Sequence, residues 1–264
     1  MSTMWDGTYT ALVTPFTADG AINNDLLCDL VDWQLQSGVD GIVPCGTTGE
    51  ASTITNDEHA SVIEAVVTRV NGQAKVLAGV GGNDTRNVTI LASRALEIGA
   101  DGVLAVAPYY NKPTQAGMVA HFTAIANTVD IPLVLYNVPG RTSSNILPAT
   151  VLRLAEHPNI VGIKEASGDL GQVMTILAGR TKGFSVLSGE DDLTLAMISL
   201  GAEGVISVVS NEVPNEMSKM VRYALNGKLD LAREIHYRLL GLMNANFIET
   251  NPIPVKAALA MMGR

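Results

Sequence analysis

The chain is short of cysteine, with only Cys28 and Cys45 among 264 residues and no metal-type spacing between them. A disulfide framework is therefore not expected, and two reduced thiols suit a cytosolic protein. Basic residues are in deficit: 17 Lys and Arg against 26 Asp and Glu leave a net charge of −9. That balance argues against nucleic acid as a partner. It does not constrain the substrate, because a basic pocket can sit in an acidic protein. No stretch reaches the ~18 uninterrupted apolar residues of a membrane span. The opening Met1-Ser2-Thr3-Met4-Trp5-Asp6 lacks a basic region followed by an apolar one. No signal peptide is read there, and a cytoplasmic location is expected. The four histidines, His59, His121, His157 and His236, form no local ligand pattern, so no metal is expected. No Gly-x-Gly-x-x-Gly follows the first strand-like run. The nearest match, Gly79-Val80-Gly81-Gly82, reads as a tight turn.

What is present is a repeat. Strand-like apolar runs occur at 9–16, 41–46, 75–81, 102–108, 132–138, 160–167, 184–189 and 204–210. They are continuous rather than alternating, as parallel strands covered on both faces should be. Helical spacing lies between them at 24–37, 56–70 and 84–98, the second opening with a capping-box pattern, Thr55-Asn56-Asp57-Glu58. One helix-to-strand junction recurs as Gly38-Val39-Asp40-Gly41, Gly99-Ala100-Asp101-Gly102 and Gly201-Ala202-Glu203-Gly204. In each, the first glycine suits a helix C-cap and the second opens a strand. Eight such units predict an α/β fold, a (β/α)8 TIM barrel. A doubly wound open sheet is the runner-up and leaves the eighth unit unexplained. Helical runs at 213–225, 229–243 and 254–262 add a small C-terminal extension. The expected division is a barrel over 1–212, then the last barrel helix and the extension over 213–264.

Lys164 lies inside the apolar run Ile160-Val161-Gly162-Ile163-Lys164-Glu165-Ala166-Ser167, whereas the other six lysines lie in helical or loop stretches or at a strand's start. Burial disfavours the charged ammonium and leaves a neutral amine, which attacks carbonyls to form a Schiff base. A lysine whose tip reaches water or a carboxylate is the plain alternative. In such barrels the site collects at the C-terminal strand ends. There the sequence offers the hydroxyls and close-approaching backbone of Gly46-Thr47-Thr48-Gly49-Glu50, suited to a small carboxylate. An ordinary strand-to-helix turn has the same composition. Tyr136 offers a phenol that relays protons when bonded to a hydroxyl such as Thr47, or a core ring with a satisfied hydroxyl. Arg141 offers a fork for a second carboxylate, or a surface charge. Tyr109-Tyr110 reads as an exposed pair suited to a subunit contact. Glu190-Asp191-Asp192 would repel phosphate, against a phosphate-binding barrel, and reads as helix N-terminal charge. A non-catalytic binding barrel requires these residues to be dispersed.

Gly46-Thr47-Thr48-Gly49-Glu50, Tyr136-Asn137-Val138-Pro139-Gly140-Arg141-Thr142 and Gly162-Ile163-Lys164-Glu165-Ala166-Ser167 resemble the signatures of the dihydrodipicolinate synthase family, pyruvate-dependent class I aldolases. Asn251-Pro252-Ile253-Pro254-Val255-Lys256 matches too, and the likeness runs in order from about Gly7 to the end. It implies condensation of pyruvate with L-aspartate-4-semialdehyde to 4-hydroxy-tetrahydrodipicolinate, a lyase step of lysine and diaminopimelate biosynthesis. It implies no cofactor, pyruvate itself being bound covalently. Lys164 would form the Schiff base, and Tyr136 would give and take protons. Thr47 and Tyr110, the latter from a neighbouring subunit, would complete the relay. Thr48 and the backbone at Ile206 would hold the pyruvyl group. Arg141 would orient the second substrate, and Gly189 would border the pocket. A homo-oligomer is implied, a dimer or the tetramer usual in the family. N-acetylneuraminate lyase and keto-deoxy-sugar aldolases share the lysine and tyrosine but usually lack Thr47-Thr48 together with Arg141. The sequence ends at Met261-Met262-Gly263-Arg264, where family members continue, so a C-terminally short form is expected. His59, Asn83 and Tyr109 match the family's lysine-feedback site, whereas Asn56 and Asn87 depart from it.

Overall fold

Apolar runs punctuated by glycine form short strands that pair with parallel neighbours. A computed structural model of the chain describes residues 5–264; residues 1–4, part of the opening segment read above for a signal peptide, lie outside the described residues. The strands are β1 (Gly7–Ala11), β2 (Gly41–Val43), β3 (Lys75–Gly79), β4 (Gly102–Val106), β5 (Leu133–Asn137), β6 (Ile160–Glu165), β7 (Ser185–Ser188) and β8 (Gly204–Ser207). They pair in sequence order, and β8 returns to β1, closing a parallel barrel. The intervening helices are α1 (Asn24–Gln36), α2 (Asn56–Val70), α3 (Thr85–Ile98), α4 (Gln115–Thr128), α5 (Pro139–Thr142), α6 (Pro148–Leu154), α7 (Leu170–Gly179) and α8 (Thr194–Leu200). After β8, a 3-10 turn at Val209–Asn211 leads into α9 (Pro214–Leu225), α10 (Leu229–Ala245) and α11 (Ile253–Met261). This is the expected (β/α)8 barrel with C-terminal helices.

Two apolar layers follow from strand alternation. Outward residues such as Ile42, Val103, Leu135, Ile163 and Val186 pack against the helices. Inward residues such as Tyr9, Leu77, Val134, Tyr136, Leu187 and Ile206 fill the barrel. The glycines that open β2 and β4 have a spatial cause. A Cβ on Gly41 would lie 2.2 Å from the Tyr9 ring, and one on Gly102 would lie 2.5 Å from the Trp5 ring. The helix starts follow the sequence signals: Thr55 and Glu58 form the reciprocal capping box of α2.

The strands are shorter than the apolar runs that announce them. Beyond β1, Leu12 and Val13 stay buried, but their N–H groups donate to Val43 O (3.1 Å) and Asn211 Oδ1 (3.2 Å). Burial continues past the ladder and turns the chain ends into site loops. Two of those loops are tied down by the C-terminal segment. Lys256 Nζ donates to Thr14 O (3.0 Å) and Glu50 Oε1 (2.5 Å) and lies over the Phe16 ring.

Candidate active site

The pairing of β5 with β6 places the central residues. It begins with Leu133 opposite Ile160, but Val134 then faces Gly162, so Val161 is left over as a bulge. The extra residue changes the parity of β6. Ile163 and Glu165 face outward, and Lys164 comes opposite Tyr136 inside the barrel. Lys164 is 5% exposed, and its Nζ lies 4.3 Å from the Tyr136 ring centroid. Glu165, adjacent in sequence, is held on the other face by Asn137 Nδ2, Gln172 Nε2 and the Ser167 N–H. Burial raises its pKa above the usual carboxylate value, and these hydrogen bonds oppose the rise.

Lys164 opens into a cavity of about 350 Å³ whose walls include Thr47, Thr48, Tyr136, Arg141 and Gly189. Six of the eight residues expected at the site therefore meet there. Thr48 is buried, and its Oγ1 accepts from Asn251 Nδ2 at 2.9 Å. Arg141, on α5, donates from Nη2 to the main-chain oxygen of Asn251 at 3.1 Å. Gly189 has a close-approach role, because a Cβ there would lie 2.9 Å from Lys164 Cε and 2.6 Å from Ala166 Cβ. Among the described residues, no hydrogen bond joins Tyr136 to Thr47; they share the cavity wall. The other two expected residues lie outside this lining. The Ile206 side chain is fully buried in the barrel interior beside Tyr136 and Leu187. Tyr110 is 89% exposed, on a loop where its φ is +69°.

Two readings of the sequence are corrected. Tyr109 and Tyr110 are not an exposed pair: Tyr109 turns inward and lines a neighbouring cavity. Glu190, Asp191 and Asp192 are not helix N-terminal charges, because α8 starts at Thr194 with no acid in its first turn. Asp191 is instead buried and accepts the N–H groups of Val208 (3.0 Å) and Val209 (2.8 Å), fixing the loop after β8. Burial raises the pKa of Asp191 and of Glu190, and the charge of Lys164 works against both rises. Behind Asp191 lies Glu212, buried and bonded to Asn246 Nδ2 at 2.6 Å. Asn251 and Glu212 escaped the sequence reading because their partners lie far along the chain. The only signal was a polar residue inside the 251–256 motif.

The neighbouring cavity, about 430 Å³, shares Thr47, Tyr136 and Arg141 with the first. Its far wall carries His59, Asn83 and Tyr109 together with Asn56 and Asn87. His59 Nε2 lies 2.7 Å from Gly79 O, and burial lowers the pKa of its ring. Asn56 Nδ2 donates to Asn87 Oδ1 at 3.1 Å, linking the two amides across α2 and α3.

The sequence model of the Dihydrodipicolinate synthetase family matches residues 4–264. The chain belongs to that family. The 4-hydroxy-tetrahydrodipicolinate synthase of Pelobacter propionicus is 54% identical, over 98% of this chain and 89% of its own length. That of Geobacter sulfurreducens is 52% identical, over 99% of this chain and 90% of its own. The crystal structure of dihydrodipicolinate synthase from Aquifex aeolicus superposes with a TM-score of 0.96 at 47% identity, over 98% of this chain and 88% of that one. Among the described residues, no group of three or more His, Cys, Asp or Glu is placed to hold a metal. No described helix is long and apolar enough to cross a membrane.

The acid side of this family site has a pH consequence. Burial pushes the Glu212 carboxyl from 4.5 up to about 7. The folded state then binds more protons than the unfolded state between those values, so this residue lowers stability as pH rises from 4.5 to about 7. Urea midpoints measured across that window should fall less steeply for Glu212→Gln than for the unsubstituted chain. Parallel curves would contradict the assignment.

Proposed function

We propose that this lyase condenses pyruvate with L-aspartate-4-semialdehyde, giving 4-hydroxy-tetrahydrodipicolinate and water in lysine and diaminopimelate biosynthesis. The observation that carries the reading is the in-register pair of Tyr136 and Lys164, facing a cavity that also holds Thr47, Thr48 and Arg141. The Lys164 amine attacks the ketone carbon of pyruvate, and the ketone oxygen leaves as water to give the imine. The protonated imine draws electrons from the methyl group, which loses a proton. The resulting enamine carbon bonds to the aldehyde carbon of the second substrate. The amine of that substrate then replaces Lys164 at the imine carbon, closing the ring and freeing the lysine.

Tyr136 lies against the reacting nitrogen and carries the protons these steps exchange. Thr47 extends the relay, and Tyr110 of a neighbouring copy completes it. Thr48 and the backbone at Ile206 hold the pyruvyl group, and Gly189 leaves room for the lysine chain. Arg141 supplies a charge-assisted fork to the carboxylate of the semialdehyde. Covalently bound pyruvate takes the place of a cofactor, and no metal takes part. The enzyme works in the cytoplasm as a homo-oligomer whose minimal unit is a dimer. The exposure of Tyr110 supports that unit, because an exposed loop reaches a relay only across a subunit contact.

Borohydride reduction in the presence of pyruvate should add one pyruvyl mass to the peptide containing Lys164. Lys164→Ala should lose both that adduct and condensation while keeping its circular dichroism spectrum; an adduct retained on the variant would refute the nucleophile. Free lysine should inhibit weakly, with half-inhibition above about 1 mM. Asn56 and Asn87 bond each other and offer no carboxylate to an ammonium, so sub-millimolar inhibition would contradict this. Sedimentation velocity over a dilution series should show a dimer or larger species. A monomer turning over at the full rate would rule out the role of Tyr110.

A further inference from the structure

Asn251 touches two of the proposed substrate-binding residues at once, Thr48 and Arg141. It follows α10 in the chain, is 5% exposed, and lines the Lys164 cavity. Its side-chain Nδ2 donates to Thr48 Oγ1 at 2.9 Å, and its main-chain oxygen accepts from Arg141 Nη2 at 3.1 Å. Its own Oδ1 is buried without a partner.

A hydroxyl has one proton and two lone pairs. At Thr48 one lone pair is taken by an amide donor. Among the described residues, no acceptor takes the proton of the Thr48 hydroxyl. That proton is left for a ligand in the cavity, and a carboxylate is an acceptor only. An acceptor in place of the Asn251 amide would draw the proton the other way, leaving lone pairs to face the carboxylate.

Taking the proposed reaction as given, we infer that Asn251 is a positioning residue that fixes the Thr48 hydroxyl as a hydrogen-bond donor to the pyruvyl carboxylate. The same residue holds Arg141 through its main chain, which a side-chain substitution leaves in place. Asn251 therefore acts on pyruvate binding through Thr48, and on the second substrate only through its backbone.

The test measures the pyruvate concentration giving half-maximal borohydride trapping, together with KM for each substrate. Asn251→Ala should raise half-saturating pyruvate about tenfold, the scale of one lost hydrogen bond to a charged ligand. KM for the semialdehyde should change by less than about threefold, because the carbonyl that holds Arg141 remains. Asn251→Asp keeps the size of the side chain and turns it into an acceptor, so its effect should exceed that of Ala. In a Thr48→Val background Asn251→Ala should add nothing, since the group it acts through is gone. Full additivity with Thr48→Val would overturn the inference, as would an Asp variant that binds pyruvate as the unsubstituted enzyme does. If the Ala variant fails to fold, the near-isosteric Asp variant and its own cycle with Thr48→Val carry the test. There the penalty that disappears is the hydroxyl's, and any residue is charge repulsion. An unsubstituted enzyme that traps no pyruvate would instead refute the proposed reaction, which separates the two failures.

Discussion

The parity of β6 is the constraint on which the site depends. A strand covered on both faces sends successive side chains into different surroundings, and a shift of one residue exchanges all of them. The bulge at Val161 makes that shift. Continued without it, the pairing of Leu133 with Ile160 would set Tyr136 opposite Ile163 and turn Lys164 toward the helices. Glu165 would then enter the cavity, away from the amides of Asn137 and Gln172 that now satisfy it. One unpaired backbone position thus decides whether the barrel presents an amine or a carboxylate.

Around that amine, the charged groups serve different ends. Arg141 stands at the cavity wall, on a short helix open to solvent. The carboxyl of Asp191 lies buried and is used on backbone N–H groups rather than on the ligand. Asp191 therefore holds the loop after β8 in place, whereas Glu190 and Asp192 line the cavity itself. The cavity lining thus sets two cations, Lys164 and Arg141, beside two acids, Glu190 and Asp192.

Much of the fold was legible because the barrel repeats one unit. The Gly-x-x-Gly junctions announced β2, β4 and β8, and their second glycines prove to be places where Tyr9, Trp5 or Gly7 leaves no room for a Cβ. Lys164 was legible because a charge inside an apolar run needs a reason. The bulge was not, since nothing in Ile160-Val161-Gly162 distinguishes a skipped residue from a paired one. Asp191 was misread because local rules assign acids to helix starts, whereas its partners lie 17 and 18 residues further on. Tyr109 and Tyr110, adjacent and chemically alike, face different ways because the backbone turns to positive φ at Tyr110.

The loops that define the site are fastened by residues 251–256. Thr48 meets Asn251 across 203 positions, and Thr14 meets Lys256 across 242. During synthesis the barrel strands are all available long before these fasteners leave the ribosome. Contacts of such long separation form late, after the loops between them have been closed. The nascent chain can thus build its scaffold while the pocket stays unfinished, and competence for pyruvate arrives only once residues 251–256 have been made.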